Sequence, residues 1–198
     1  MPPKAKITKE MIIDAGFEVA REFGIETVNA RTVSEKLGCS TQPVMYHFKT
    51  IEDMKKAVYQ KADAYHTAYL MDIHGDSPML EMGLSYIRFA QTEKQLFRLL
   101  FQSDEFAGKS ISELIDAEEL LPILNVLSES ADTDIARAKA IFRLLFLFVH
   151  GYAGMFANNT MKYDEAAVAL DLERAFAGVC HALKQEVIID HDAFLSKK

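Results

Sequence analysis

Residues 29–48 read NARTVSEKLGCSTQPVMYHF, and this stretch decides the fold of the first part of the chain. Asn29 is a favourable N-cap for a short helix, and Gly38 can adopt the left-handed backbone conformation that ends that helix sharply. Ser40 can cap a second helix, in which Pro43 is tolerated because the N–H groups of the first turn have no intrahelical acceptor. Two short helices joined by a tight turn that contains glycine form a helix-turn-helix unit.

The second helix of this unit, residues 41–48, is predicted to have one inward and one outward face. Val44 and Phe48 are apolar residues four positions apart, and we assign them to the inward face. A rotation of about 100° per residue then places Gln42 and Tyr46 on the outward face. Glutamine can bind adenine through two hydrogen bonds, and tyrosine can contact a phosphate or a thymine methyl group. From spacing alone, an ordinary short helix in a bundle explains the same pattern equally well.

Polar and basic residues on either side extend the predicted DNA-contacting surface. Thr50 and Asp53 resemble a capping box that opens a further helix, and a helix N-terminus at that place can bind phosphate. Upstream, Lys4, Lys6 and Lys9 form a short basic arm, which solubility alone explains equally well. The predicted DNA-binding residues are Arg31, Thr41, Gln42, Pro43, Met45, Tyr46, His47, Lys49 and Thr50.

Residues from about Thr8 to Val58 resemble the DNA-binding domain of the tetracycline-repressor (TetR) family. The resemblance rests on residues at the family's spacings, which are Gly24, Thr27-Val28, Val33-Ser34, Leu37-Gly38 and Val44 to Phe48. Weaker likenesses to the family's helical effector-binding region occur at residues 94–101 and 148–152. The resemblance implies a ligand-responsive transcriptional regulator, a homodimeric repressor that a small apolar effector releases from a palindromic operator in double-stranded DNA.

Two positions depart from the pattern of that family. The family usually has tyrosine where this chain has Met45, and Tyr46 stands at a position that varies in the family. A lysine that is common in the family just after the turn aligns with Ile51, whose side chain cannot hold a phosphate. Lys49 is the candidate for that role.

The net charge of −7 by itself argues against a nucleic-acid partner. The charge is divided unevenly, because residues 1–66 contain 10 basic and 9 acidic side chains, whereas residues 67–198 contain 12 basic and 20 acidic ones. The first part therefore has a net charge of +1 and the remainder −8. We expect DNA affinity to come from a few placed groups, with an acidic body that discourages non-specific binding.

Helical periodicity dominates the rest of the chain, and no alternating run with a hairpin signal occurs, so the sequence predicts an all-α fold of about nine helices. We expect an N-terminal DNA-binding domain at residues 1–50 and a helical effector-binding and dimerisation domain at residues 51–198, joined by a shared helix. The predicted helices are residues 8–23, 30–37, 41–48, 51–71, 79–92, 94–106, 111–128, 134–158 and 165–185.

The middle helices are rich in phenylalanine and methionine. Most such residues belong to a plain hydrophobic core, and an adaptable apolar pocket for a small effector is the functional alternative. The predicted effector-binding residues are Tyr65, Tyr69, Tyr86, Arg88, Phe89 and Phe101. No feature of the sequence identifies the ligand.

The helix at residues 134–158 is hydrophobic on nearly all sides, which predicts burial against more than one neighbour. Glycine inside it costs ~1 kcal/mol relative to alanine, a cost that fits the close approach of another helix. In the resembled family the last two helices pair with those of a second copy, which implies the homodimer that a two-fold operator requires. The predicted interface residues are His150, Gly151, Leu172, Phe176 and Val179.

Several other functions find little support in the sequence. The six histidines include no pair at i, i+4 spacing, so we predict no metal site and no cofactor. Cys39 and Cys180 suggest no disulfide framework, and the N-terminus lacks the apolar segment of a signal peptide, so a cytoplasmic protein is expected. The most apolar stretch, residues 141–157, is interpreted as a core helix rather than a membrane span.

Two functions of other classes remain open. A helical enzyme or carrier for an apolar small molecule is favoured by the phenylalanine-rich and methionine-rich middle of the chain. No constellation of nucleophile, base and orienting group occurs, so no catalytic residue is predicted and the regulator is preferred to an enzyme. A pure interaction bundle is the third possibility, and it predicts no ligand cavity.

Overall fold

The computed structural model describes residues 7–103, 108 and 110–184. Within these residues the regular structure is helical, with ten α-helices and short 3₁₀ turns at Ile25–Thr27 and Glu118–Leu120, so the predicted all-α class is confirmed. The helices are α1 (Lys9–Phe23), α2 (Ala30–Leu37), α3 (Thr41–His47), α4 (Ile51–Met71), α5 (Pro78–Thr92), α6 (Lys94–Phe101), α7 (Ile111–Ile115), α8 (Leu121–Ala131), α9 (Ile135–Asn158) and α10 (Glu165–Lys184).

The prediction of one helix at residues 111–128 is wrong, because the structure has two helices there. The described residues therefore contain ten helices rather than the expected nine. The segment consists of α7 and α8 with a 3₁₀ turn between them. Pro122 lies in the first turn of α8, because proline has no N–H to donate and fits only where a helix begins. Helix α6 ends at Phe101 rather than at Phe106, which lies outside the described residues, as does the predicted final helical residue, Gln185.

The chain divides into two compact units, of which the first comprises Met1–Ile73, Ser85–Gly108 and Ala153–Met161. Helices α1 to α4 pack around side chains that are completely buried, which include Ile12, Val33, Val44, Met54 and Val58. Gly16 lies where α1 approaches α4, and a Cβ atom at that position would be 2.7 Å from Cγ2 of Val58. Glycine therefore permits the close approach of these two helices.

The second unit comprises His74–Leu84, Lys109–Tyr152 and Lys162–Lys198. Its core is a cluster of buried residues from α8 and α9, against which part of α10 packs. The buried members are Leu127, Ala131, Ala138, Ile141 and Leu145. The predicted domains, residues 1–50 for DNA binding and residues 51–198 for effector binding and dimerisation, are defined by their roles. The two compact units do not test those roles, so the division stays a prediction.

Helix α9 is buried on one face and exposed on another. Its inward face packs against α8 and α10, so the predicted burial against more than one neighbour is confirmed. Its side chains at Leu144, Leu147 and Phe148 are nevertheless 43%, 47% and 38% exposed. The helix is long and apolar enough to cross a membrane, and 33% of its most apolar window is buried. One such helix is weak evidence for a membrane span, because core helices of soluble proteins meet the same criterion.

Candidate functional site

The first helix of the predicted helix-turn-helix is capped at both ends. Oδ1 of Asn29 accepts hydrogen bonds from the N–H groups of Arg31 and Thr32 at 3.0 and 3.1 Å, and Oγ1 of Thr32 accepts one from the Asn29 N–H at 3.1 Å. This reciprocal arrangement is a capping box. Gly38 follows the helix with φ of 64° and ψ of 33°, a left-handed conformation that glycine adopts without steric cost. Both predicted caps are confirmed.

Helix α3 presents the two faces that its spacing predicts. Val44 and Phe48 are 0% and 4% exposed, whereas Tyr46 is 81% exposed and Gln42 is exposed as well. Ser40 occupies the N-cap position, but its side chain makes no capping hydrogen bond, so that part of the prediction is wrong. Two buried apolar anchors therefore hold the outward residues away from the core.

The other predicted contact residues surround these two. Thr41, Met45, Lys49 and Thr50 are exposed, and Pro43 is half-buried. Oγ1 of Thr50 accepts a hydrogen bond from the N–H of Asp53 at 3.0 Å, so α4 begins at the predicted place. Glu52 and Asp53 lie in the first turn of α4. Their carboxylates stabilise the helix N-terminus and weaken its attraction for a phosphate.

The last residue of α3 is joined to the beginning of the described chain. Nε2 of His47 donates a hydrogen bond to the carbonyl oxygen of Ile7 at 3.1 Å. The imidazole also lies nearly perpendicular to the Tyr46 ring, with ring centres 5.2 Å apart. The ammonium group of Lys9 lies 5.2 Å from the centre of the Phe48 ring. His47 thus positions the end of α3 against the start of α1.

Several basic side chains near the helix-turn-helix are paired with carboxylates. The nitrogen-to-oxygen distances are 2.9 Å for Arg31 with Glu35, 3.6 Å for Lys36 with Glu22 and 3.4 Å for Lys55 with Glu26. Exposed ion pairs of this kind are weak. Because the Arg31 side chain is 83% exposed, a phosphate could replace Glu35 as its partner at little cost.

A second group of side chains, the ring cluster, gathers around His66 on α4. It contains five of the six predicted effector-binding residues, which are Tyr65, Tyr69, Tyr86, Phe89 and Phe101. The His66 ring centre lies 4.8 Å from that of Phe89, 5.0 Å from that of Phe101 and 5.6 Å from that of Tyr86. The sixth predicted residue, Arg88, is half-buried on α5.

Sequence reasoning missed His66, although a signal was present. The buried residues of α4 recur every four positions, and His66 is the polar member of the series Met54, Val58, Ala62, His66 and Leu70. Burial lowers the pKa of His66 to about 4, so its imidazole is neutral near pH 7. Within the described part of the chain its Nε2 atom has no hydrogen-bond partner.

An ion pair borders the ring cluster at Tyr65. Nε of Arg21 donates to Oε2 of Glu93 at 2.8 Å, and Nη2 of Arg21 donates to Oε1 at 2.5 Å. The hydroxyl of Tyr65 donates to the same Oε1 atom at 3.3 Å. Burial, followed by the negative charge of Glu93, raises the pKa of Tyr65, so its hydroxyl stays protonated and keeps its role as a donor.

Exposed apolar side chains and exposed glycines occur on both α9 and α10 of the second unit, and we call this set of residues the α9–α10 face. Its members are Leu144, Leu147, Phe148, Gly151, Leu170 and Gly178, of which Gly151 is a predicted dimer residue. Of the described atoms outside the immediate backbone, none lies within 4 Å of a Cβ placed at Gly151 or Gly178. None of the helices in the described part of the chain therefore makes the close approach that Gly151 suggests.

The remaining predicted interface residues differ in how deeply their side chains are buried. Leu172 is 6% exposed, and one of its methyl groups would be 3.2 Å from a Cβ at Gly83, so it belongs to the core of its own chain. Phe176 and Val179 are half-buried against the α8–α9 core, and His150 is half-buried with its ring centre 5.5 Å from that of Phe146. The role of all four at an interface stays a prediction.

No family model matches the chain. The chain is similar to the uncharacterized HTH-type transcriptional regulator YobS of Bacillus subtilis (strain 168), with 22% identity over 176 residues. The match covers 83% of this chain and 87% of the relative, so it extends well beyond the helix-turn-helix. This likeness supports a DNA-binding regulator of transcription.

Proposed function

We propose that the chain is a ligand-responsive transcriptional regulator of the TetR family, a cytoplasmic repressor that binds a palindromic operator as a homodimer. The observation that carries the proposal is the arrangement of α3, where buried Val44 and Phe48 anchor a helix whose Gln42 and Tyr46 face outward. A short capped helix with this arrangement suits the major groove, where glutamine reads adenine and tyrosine contacts thymine or phosphate.

The exposed apolar residues of the α9–α10 face support the proposed homodimer. An apolar surface of this kind on a regulator is accounted for by a second copy of the chain, because Leu144, Leu147 and Phe148 then leave water. A two-fold dimer uses the same surface on both copies and places the two α3 helices in successive major grooves, about 34 Å apart.

The ring cluster supports the proposed ligand response, because it gathers aromatic side chains around a buried polar group. We consider two conformations of the dimer, one with the α3 helices spaced for the operator and one with the wrong spacing. An effector that binds the second conformation more tightly than the first lowers operator affinity, at most by the ratio of its affinities for the two conformations. The ion pair between Arg21 and Glu93 supports this coupling, because it connects α1, which packs against the helix-turn-helix, with the border of the ring cluster.

Selection of bound sequences from a random duplex pool tests the proposal most directly. The full chain should enrich a palindrome whose half-site centres are about 10 base pairs apart or a multiple of that spacing. The Gln42→Ala variant should lose preference at one position of each half-site. The matched control is Gln60→Ala, an exposed glutamine on α4, which should select the same sequence as the unchanged chain. A pool that shows no enrichment across a range of salt concentrations would overturn the proposal.

A carrier for apolar small molecules is the second candidate, and the ring cluster is the observation that favours it. Under that function the duplex pool yields no enriched sequence, while an aromatic ligand still binds the purified chain. The two functions are therefore separated by the same selection experiment combined with a ligand titration.

A further inference from the structure

His66 lies at the centre of the ring cluster, with only 7% of its surface exposed. The rings of Phe89, Phe101 and Tyr86 each meet the imidazole edge to face, at interplanar angles of 69°, 70° and 78°. Three aromatic side chains from α5 and α6 thus surround one polar side chain from α4.

Within the described residues, Nε2 of His66 is buried and makes no hydrogen bond. Buried polar atoms are nearly always paired in folded proteins, and an unpaired one destabilises the native state. An N–H directed at the face of Phe89 would replace only part of the lost hydrogen bond, because such contacts are weaker than conventional ones. A hydrogen bond from a ligand to this buried atom therefore contributes more binding free energy than the same hydrogen bond at the protein surface.

We propose that the ring cluster binds a phenolic compound, a neutral aromatic ring carrying a hydroxyl group, and that this hydroxyl pairs with Nε2 of His66. A neutral imidazole carries its proton on either nitrogen, so Nε2 is a donor in one tautomer and an acceptor in the other. A hydroxyl group both donates and accepts, and it therefore matches Nε2 in either case. The inference rests on the proposed function, since it names the chemical class of the effector.

The surroundings favour a planar aromatic ring over an aliphatic chain. Edge-to-face contacts join His66 to Phe89, Phe101 and Tyr86, so the groups that surround Nε2 are aromatic rings, which favour a planar aromatic partner. Such contacts contribute binding free energy beyond that of the buried apolar area, and an aliphatic ligand cannot make them.

The electrostatics favour a neutral ligand over a carboxylate. Burial keeps the imidazole of His66 uncharged near pH 7, so it offers no positive charge to an anion. The guanidinium of Arg21, which reaches the border of the cluster at Tyr65, is held by both oxygens of Glu93. An ionised ligand would be buried without a counter-charge, which is costly.

Calorimetric titration of the full chain with matched probes tests this proposal. The larger pair is 2-naphthol and 2-methylnaphthalene, and the smaller pair is 4-methylphenol and 1,4-dimethylbenzene; the members of each pair differ by a hydroxyl in place of a methyl group. In at least one pair we expect the hydroxylated probe to bind about tenfold more tightly, which corresponds to about 1.4 kcal/mol.

The variant His66→Phe keeps a planar ring and removes both nitrogens. It should bind the two members of each pair with equal affinity, while His66→Gln, which restores a polar group, should recover part of the preference. The matched control is His74→Phe, the same change at an exposed histidine, which should leave the preference at about tenfold. Circular dichroism of each variant verifies that it is folded.

Three results would overturn the proposal. They are the absence of binding by both hydroxylated probes, equal affinity within both pairs for the unchanged chain, and a preference that survives in His66→Phe. The titrations contain no DNA, so any of these results leaves the duplex selection of the proposed function unaffected. Conversely, a chain that selects no duplex sequence but prefers the hydroxylated probe would retain the site and refute the regulator.

Discussion

Arg21 and Glu93 are 72 positions apart in the sequence, yet their side chains meet through two hydrogen bonds in the parallel geometry that guanidinium and carboxylate groups favour. The Glu93 side chain is 9% exposed and that of Arg21 is 38% exposed. Without Arg21, the carboxylate of Glu93 would be nearly buried and without a counter-charge, which is costly. Without Glu93, the guanidinium of Arg21 could still be hydrated, because it is partly exposed.

Replacement of Arg21 should destabilise the chain. In Arg21→Leu the carboxylate of Glu93 loses its charged partner in a nearly buried position, and the free energy of unfolding should fall by about 1–3 kcal/mol, a range that allows for the partial exposure of Arg21. Urea denaturation measures the change. In the control variant, Arg31→Leu, an exposed arginine loses its pairing with Glu35, and the urea midpoint should move much less. Equal midpoints for both variants would contradict the importance of the pair.

Loss of the Gln42 amide should reduce specific DNA binding. Gln42→Ala is expected to weaken binding to the selected operator by roughly 1–3 kcal/mol and to leave binding to random duplex unchanged. Fluorescence anisotropy with both duplexes measures the two affinities. An equal loss on random DNA would assign Gln42 to the phosphate backbone rather than to a base.

Lys49 should act on all duplexes alike. Lys49→Ala is expected to weaken both specific and random binding and to lower the dependence of log affinity on log salt by about one unit. Lys56→Ala, at an exposed lysine on α4, provides the matched control. If the salt dependence of Lys49→Ala equals that of the unchanged chain, Lys49 does not contact a phosphate.

A charge on the α9–α10 face should break the dimer. Leu147 is 47% exposed in a single copy, so Leu147→Glu leaves the monomer folded while placing a carboxylate in the proposed interface. Sedimentation velocity should give a monomer for this variant and a dimer for Leu121→Glu, a leucine of similar exposure on α8. A dimeric Leu147→Glu variant would place the interface elsewhere.

The burial of His66 predicts a dependence of stability on pH. The folded chain holds the His66 pKa at about 4, below the ordinary value of 6.5, so between these pH values the unfolded chain binds more protons. The free energy of unfolding should therefore fall as the pH is lowered from about 6.5 to about 4, by about 2–4 kcal/mol from this group. Urea denaturation of the unchanged chain and of His66→Phe across this range isolates the contribution, since carboxylates titrate in both. Parallel curves would show that His66 protonates freely in the folded chain.

Local features of the helix-turn-helix could be predicted from the sequence, because they depend on residues close together in the chain. Asn29 and Gly38 act through their own backbone positions, and the spacing of Val44 and Phe48 fixes which side of α3 is buried. The cap expected at Ser40 failed because its residue type permits a hydrogen bond but does not impose the rotamer that makes it.

Features that depend on distant contacts could not be predicted in the same way. The partnership of Arg21 with Glu93 requires the packing of α1 near the beginning of α6, and residue spacing carries no information about that. The exposure of Leu144 and Leu147 has a different cause, since an apolar composition indicates burial without distinguishing a core from an interface. The aromatic content of the middle helices predicts most of the ring cluster, but residue spacing does not indicate that His66 lies among those rings.

The contact between His47 and Ile7 gives α1 a mechanical role. Helix α1 is attached at its first turn to the end of α3, and near its other end to Glu93 through Arg21. From Lys9 to Arg21 this is a rigid rod about 20 Å long. Under the proposed function, a tilt of α1 that begins at the Arg21 end displaces α3 without unfolding any backbone, so α1 would couple the ring cluster to the proposed DNA-contacting helix.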